Sequence, residues 1–395
     1  MIKLEELCSK ISVGHVGKTS EFYTDNKGVP FLRTQNVTSS GLDLTGLMYV
    51  THEFHSQLKK SELHSGDVVI SRVVSTKINC AIIPEDLKIA NCANIIVVSP
   101  KRETLDSRYL MYYLKSVSVQ RDLLKRQVGS AQSVVNTSVI KDWLVPHPPL
   151  MVQQRIAGIL DKADAISQKR QQAITLADDF LRSVFLDIFG NPITNSKGWD
   201  EVTLKEIADI RSGVTKGKQV KESDSITLPY MRVANVQDGY LDLSSIQKIT
   251  VSKRDAEKCK LEKGDILLTE GGDPDKLGRG HVWNGEIENC IHQNHIFSVR
   301  IIDREYIRPE FLSAVISSLR GKQYFLKMGK QTTGIATINK TVLSNFMPFV
   351  PPVDIQDKYL NIVRKVKGLP MYNEYDYTNL FHSLSQKAFS GQLKE

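Results

Sequence analysis

The sequence predicts an α+β fold: two similar mixed α/β domains, each closed by a long helix, arranged as a pseudo-twofold chain of 395 residues. Three observations predict it. The chain repeats itself once, each copy runs from β-like segments to helical ones, and one amphipathic run is too long for a single domain surface. The length alone exceeds one ordinary core at ~150 residues per domain. With 41% hydrophobic and 24% charged residues, the composition supports packed cores and excludes a mainly disordered state.

The duplication is read block by block. Val29–Val37 (VPFLRTQNV) matches Leu228–Val236 (LPYMRVANV) at an offset of 199, and Leu42-Asp43-Leu44 matches Leu241-Asp242-Leu243 at the same offset. Leu63–Val68 matches Leu261–Ile266 at 198, while Val135-Asn136 and Pro148-Pro149 match Ile338-Asn339 and Pro351-Pro352 at 203. The blocks keep one order while the offset drifts by five. Units this long are not those of a solenoid.

Within each copy the elements follow in order. Val29–Val37 reads as extended. Asp67–Ile70 and Asn94–Val98 are β-branched runs, paralleled by Asp265–Leu268 and Ile296–Val299. Helical segments are expected near Arg108–Leu124 and Glu310–Lys327. A Pro-Pro pair then blocks helix upstream of the next element. From Met151 to Phe189, Ile156, Leu160, Ala163, Ile166, Ala173, Ala177, Leu181, Val184 and Ile188 recur mostly at three- and four-residue steps. That is a helix of 39 residues, about 58 Å at ~1.5 Å per residue, stopped by Gly190-Asn191-Pro192. Its narrow apolar stripe suits one partner helix. The second copy's helix, from about Asp354 to Phe389, meets Gly368-Leu369-Pro370, where a kink or break is expected because interior proline costs ~3 kcal/mol or more.

Charge and missing motifs bound the function. Lys+Arg is 52 against 44 Asp+Glu, a net +8. Residues 1–190 hold 23 basic and 19 acidic residues and residues 191–395 hold 29 and 25, so each half is net +4. An even basic surplus suits a polyanion such as nucleic acid, or a basic surface with no such partner. No Gly-x-x-x-x-Gly-Lys-Ser/Thr loop and no Asp/Asn-Pro-Pro-Tyr segment occurs, so neither an ATPase nor an amino-methyltransferase is supported. The Gly271–Gly280 run reads either as a flexible turn or as a loop approaching a phosphate. His292-Gln293-Asn294-His295 lacks a third metal ligand at useful spacing. Five scattered cysteines without Cys-x-x-Cys spacing, no apolar run of membrane-spanning length and no secretion-signal order at Met1–Glu6 point to the cytoplasm, with no membrane association. No cofactor is called for.

Pro148-Pro149-Leu150-Met151-Val152-Gln153-Gln154-Arg155-Ile156 resembles the start of the long helix in type I restriction–modification specificity (S) subunits. Phe185–Pro192 (FLDIFGNP) resembles that helix's exit, and Ala388–Leu393 (AFSGQL) the usual C-terminal ending. Ile2–Gly14 and Trp199–Gly213 are similar to the starts of target-recognition domains. The resemblance covers the whole chain. It implies target-recognition domains at 1–148 and 193–351. It places spacer helices at 149–192 and 352–395, antiparallel in a coiled coil, the second interrupted near 368–370. It implies a non-catalytic subunit that binds double-stranded DNA at a bipartite, asymmetric site. That subunit would direct methyltransferase (M) subunits, which modify adenine, and a restriction–translocase (R) subunit. The helices would set the unread spacer like a ruler. A single-chain nuclease or restriction–methylation fusion, and a coiled-coil scaffold unrelated to DNA, are the alternatives.

Base reading needs donors and acceptors, Arg for guanine and Asn or Gln for adenine. The candidates in copy one are Arg33, Gln35, Asn36, Arg72, Lys77, Ser130 and Gln132. In copy two they are Arg232, Asn235, Glu270, Lys276, Arg279, Gln331 and Thr332. Phosphate contacts are assigned to Lys18, Lys125, Arg126, Lys216, Lys218 and Lys330. Arg33/Arg232 and Asn36/Asn235 recur in both copies, which fits either a shared fold role or a shared contact.

Overall fold

The computed structural model describes residues 1–74, 77–126, 133–217, 220–272, 277–332, 335–372 and 378–393. The chain divides into two compact units, Met1–Ile174 with Asn373–Glu395, and Thr175–Tyr372. In unit 1 a four-stranded antiparallel sheet runs in the order Cys80–Ile82, Val68–Ser71, Ile95–Pro100, Cys8–Val13. Val68, Ile70, Ile96 and Val98 enter one core, Val69 and Val97 another. A sheet covered on both faces explains why these runs are apolar without alternation. Unit 2 repeats the order with Gly280–Val282, Ile266–Thr269, Ile296–Ile301 and Ala208–Ser212. Each unit adds a parallel pair: Val29–Leu32 beside Ala90–Cys92, and Ser225–Met231 beside Ile291–His292.

Small devices recur with the sheets. Gly66 and Gly264 turn at φ +84° and +95°, a region glycine enters without strain. The next residue secures each turn: Asp67 Oδ2 accepts from His64 N–H and Asp265 Oδ2 from Glu262 N–H, both at 2.9 Å.

Two expectations are corrected. Val29–Val37 is extended only to Leu32, after which Thr34–Asn36 form a 3₁₀ turn, and Val233–Asn235 do the same in unit 2. The helical segment of each copy is two helices, Ser107–Lys115 with Val117–Lys125, and Pro309–Ser317 with Leu319–Met328. Ser116 and Ser318 sit extended at the breaks. Their hydroxyls bond back to Tyr113 O (2.7 Å) and Val315 O (2.6 Å), offering the backbone an alternative to continued helix.

The long helix is continuous over Leu150–Phe189, and Gly190 leaves it at φ +78°. Its start is fixed by a buried glutamine in the Pro-Pro-Leu-x-x-Gln motif. Gln153 accepts from Asp106 N–H (3.0 Å) and donates to Thr104 O and Pro148 O (2.9 Å each). Gln356 accepts from Arg308 N–H (2.9 Å) and donates to Tyr306 O (3.1 Å) and Pro351 O (2.8 Å). Both side chains are fully buried. The motif is a clamp between the loop preceding a helix pair and the Pro-Pro segment.

In unit 1, Ile156, Ala157 and Leu160 of the long helix join Tyr109, Tyr112 and Tyr113 in one core. Phe389 of the C-terminal helix Thr378–Phe389 packs its ring on Tyr109 and Tyr113, with centroids 5.4 and 5.2 Å apart. In unit 2, Phe185 and Phe189 meet Tyr359 of the helix Val353–Lys367 at 5.6 and 5.3 Å. One end further, Lys367 and Tyr372 reach Asp178 at 3.0 and 2.9 Å. Rising numbers on one helix meet falling numbers on the other, so this pair is antiparallel. The second helix ends at Lys367 with Gly368 as cap, and Pro370–Tyr372 form a 3₁₀ turn, which realises the break expected there.

Candidate nucleic-acid interface

The shared Arg-x-x-Asn segments have a structural explanation. Asn36 Oδ1 accepts from Arg33 N–H (2.8 Å) while its Nδ2 donates to Asp43 O (2.8 Å). Asn235 Oδ1 accepts from Arg232 N–H (3.0 Å) and its Nδ2 donates to Asp242 O (2.8 Å) and Ser245 O (3.1 Å). Their exposures are 1% and 2%. Buried amides with both ends engaged cannot read bases, so Asn36 and Asn235 leave the set of candidate readers and join the scaffold. Arg232 Nη2 is also held, by Ser245 O at 2.8 Å. The Nε atoms of Arg33 and Arg232 are enclosed without a hydrogen bond among the described residues.

Other candidates fall near concavities. In unit 1 a cavity of about 410 Å³ is lined by Gly17, Thr19, Arg33, Thr34, Gln35, Ala93 and Asn94. It brings Arg33 and the exposed Gln35 together, beside the exposed Lys18. In unit 2 a cavity of about 570 Å³ is lined by Ser212–Gly217, Asp255, Lys258 and Cys259. It includes Lys216 but not Arg232, and it adds Lys258, which carried no sequence signal beyond its charge. Lys77 is exposed beside a third cavity of about 410 Å³, in unit 1, shared with Lys115 and Arg121.

Lys125 and Arg126 are exposed where the helix Val117–Lys125 ends, a position where cations offset the helix dipole. Arg126 stacks over the Trp143 ring at 4.9 Å. Arg72 and Arg279 are half-buried at strand ends, and Lys330 is exposed at the start of the strand Lys330–Thr332. Gln331 and Thr332 share that strand, but their side chains lie outside the described set, as do Ser130, Gln132, Lys218 and Lys276 altogether.

The glycine-rich run resolves in part. Gly271–Gly272 is a strand paired with Ala336–Thr337, and a Cβ on Gly271 would lie 2.8 Å from Thr337 Cγ2. This glycine is needed for strand approach. The two histidines are also committed. His292 is fully buried, with Nδ1 donating to Cys259 O at 3.0 Å, and burial pushes its pKa down to about 4. His295 Nδ1 lies 2.8 Å from Glu270 Oε2. Among the described residues no group of three His, Cys, Asp or Glu could hold a metal ion. Arg300 is committed to the fold: it grips buried Asp265 through Nε (2.7 Å) and Nη2 (2.8 Å).

A family model for the type I restriction modification DNA specificity domain matches residues 1–176 and again 196–368. The chain belongs to this specificity family. Among its relatives is the type I restriction enzyme StySPI specificity subunit of Salmonella potsdam, 24% identical over 94% of this chain and 84% of the relative. The EcoKI specificity subunit of Escherichia coli strain K12 is also 24% identical, with the same shares covered. The crystal structure of a type I restriction–modification S subunit from M. genitalium has the same fold. Its TM-score is 0.53 at 15% identity, over 98% of this chain and 95% of that one. The two matched stretches of the specificity family cover the two repeats that the sheets and clamps display.

Proposed function

We propose that this chain is the DNA-reading specificity subunit of a type I restriction–modification complex. The observation that carries the reading is the double match to the specificity domain, one on each repeat of the fold. Each repeat reads one half of a bipartite, asymmetric site in double-stranded DNA. Residues 1–148 and 193–351 are the reading units, and the helical segments 149–192 and 352–395 set the unread spacer and dock methyltransferase subunits. A restriction–translocase subunit joins the same complex. The chain itself is not an enzyme: it supplies address, and its partners supply methyl transfer and cleavage. The family assignment favours this over the nuclease, fusion and scaffold readings. No helix among the described residues is long and apolar enough to cross a membrane, and we place the chain in the cytoplasm with its DNA.

Arg33, Gln35, Arg72, Lys77, Arg279 and Glu270 remain the described side chains offered to bases. Arg232 stays with them in part, one guanidinium nitrogen being held by the fold. Lys18, Lys125, Arg126, Lys216 and Lys330 are offered to phosphates. The test is co-expression with a methyltransferase subunit and sequencing of the methylated sites. A two-part consensus that vanishes without this chain is the expected result. Methyl transfer by the purified chain alone would overturn the assignment.

A further inference from the structure

Arg72 and Glu270 occupy one position in the two units. In unit 1 Ser71 N–H donates to Asn79 O (2.8 Å) and the Arg72 carbonyl accepts from Val135 N–H (3.1 Å). In unit 2 Thr269 N–H donates to Arg279 O (3.0 Å) and the Glu270 carbonyl accepts from Ile338 N–H (2.8 Å). The same corner of the same sheet thus carries opposite charges.

A second difference falls on that corner. His15 and Val214 N–H groups donate to the carbonyls of Cys92 and His292, both at 2.8 Å, and Ile95 and Ile296 face Ser71 and Thr269. Between these anchors unit 1 has Ala93 and Asn94, whereas unit 2 has Gln293, Asn294 and His295. His295 is therefore an insertion. Its ring meets the Glu270 carboxylate at 2.8 Å and its carbonyl accepts from Glu270 N–H at 2.9 Å. The two side chains are 57% and 31% exposed. A surface pair of this kind adds little to stability, so the fold has small need of it.

We propose that Glu270, oriented by His295, selects a cytosine at one position of the half-site read by unit 2, where Arg72 gives unit 1 a guanine. This rests on the DNA-reading function proposed above. A carboxylate accepts from the exocyclic N4 amino group of cytosine, while arginine donates to O6 and N7 of guanine. The carboxylate also meets the acceptor edge of guanine unfavourably, so it rejects the wrong base as well as binding the right one. His295 engages Oε2 and limits the carboxylate's rotation, leaving Oε1 as the acceptor.

The experiment assembles the wild-type chain, Glu270→Gln, Glu270→Arg and Arg72→Glu separately with methyltransferase subunits and maps methylated sites. Glu270→Gln should move one position in a single half-site from cytosine toward adenine, with a preference change of about tenfold or more. Glu270→Arg should move that position to guanine, and Arg72→Glu should alter only the other half-site. The proposal is overturned if the active variants keep the wild-type consensus, or if they lose activity evenly over all sequences while folded. Unfolding of the isosteric Glu270→Gln would also overturn it, by making the pair structural. A wild-type complex with no two-part consensus would instead sink the DNA-reading assignment itself.

Discussion

The two units share their turns and clamps and differ at one corner of the sheet. The glutamine clamps Gln153 and Gln356, the turn carboxylates Asp67 and Asp265, and the buried amides Asn36 and Asn235 share a common set of bonds, to which unit 2 adds Ser245 O on Asn235 and Arg300 on Asp265. At the equivalent sheet corner unit 1 carries Arg72, and unit 2 carries Glu270 with His295. The lesson is a sorting rule for duplicated readers. A residue repeated in both copies and buried belongs to the frame, and a residue that changes at an equivalent backbone position is where the copies can read different bases.

The comparison can be broken most severely by exchange. Replacing residues 1–148 with the matching region of another specificity subunit should change one half-site completely and leave the other intact, as read from the methylated consensus. The substituted domain must keep aromatic partners for Phe389, such as Tyr109 and Tyr113. A hybrid that shifts both half-sites together would end the two-reader description.

Next in size is the clamp. Gln153→Ala strands the Asp106 N–H and the Pro148 carbonyl, at ~1–3 kcal/mol for each group left without a partner, while Thr104 O keeps His147 Nε2 at 2.9 Å. Gln356→Ala strands three groups, Arg308 N–H, Tyr306 O and Pro351 O. Denaturant unfolding should show losses of several kcal/mol in both variants, the larger in Gln356→Ala. A large loss in only one would show that the clamps are not equivalent.

The smallest effect sharpens a difference. The sheet register sets Cys92 against Leu32 and His292 against Met231, so thiol and imidazole are counterparts. Burial holds the imidazole neutral in the fold, with a pKa near 4, whereas the unfolded chain takes a proton near the ordinary value of ~6.5. Between those values the unfolded state binds more protons. The His292 contribution is therefore full above about pH 6.5 and is lost progressively down to about pH 4. At pH 5 this amounts to roughly 2 kcal/mol. His292→Cys should flatten that part of the stability curve, measured by denaturant unfolding from pH 7 to pH 4. An unchanged curve would place the acid sensitivity elsewhere.

How much was legible follows from what each feature writes into the chain. Helix periodicity and proline punctuation are local, so Leu150–Phe189 and the break after Lys367 could be read directly. The repeat was legible because the turns and clamps demand the same residues twice. The serine breaks at Ser116 and Ser318 were not, since serine is ordinary on a helix surface until its hydroxyl turns back on the chain. Asn36 and Asn235 carried the chemistry of a base reader, and only their burial reassigns them. His295 stands in a His-x-x-His string that lacks a third metal ligand, and its status as an insertion is written in the backbone register, not in the letters.

One further consequence concerns synthesis. Ala388 belongs to a core otherwise built from residues before Ile174, with Phe389 packed against it. During translation that core must wait for the ribosome to make all of unit 2, which at ~5–20 residues per second is a delay on the order of ten to forty seconds. Over that interval Tyr109, Tyr112 and Tyr113 lack their aromatic lid. The nascent chain therefore completes its second reader before its first, and chaperone demand should fall on the part made earliest.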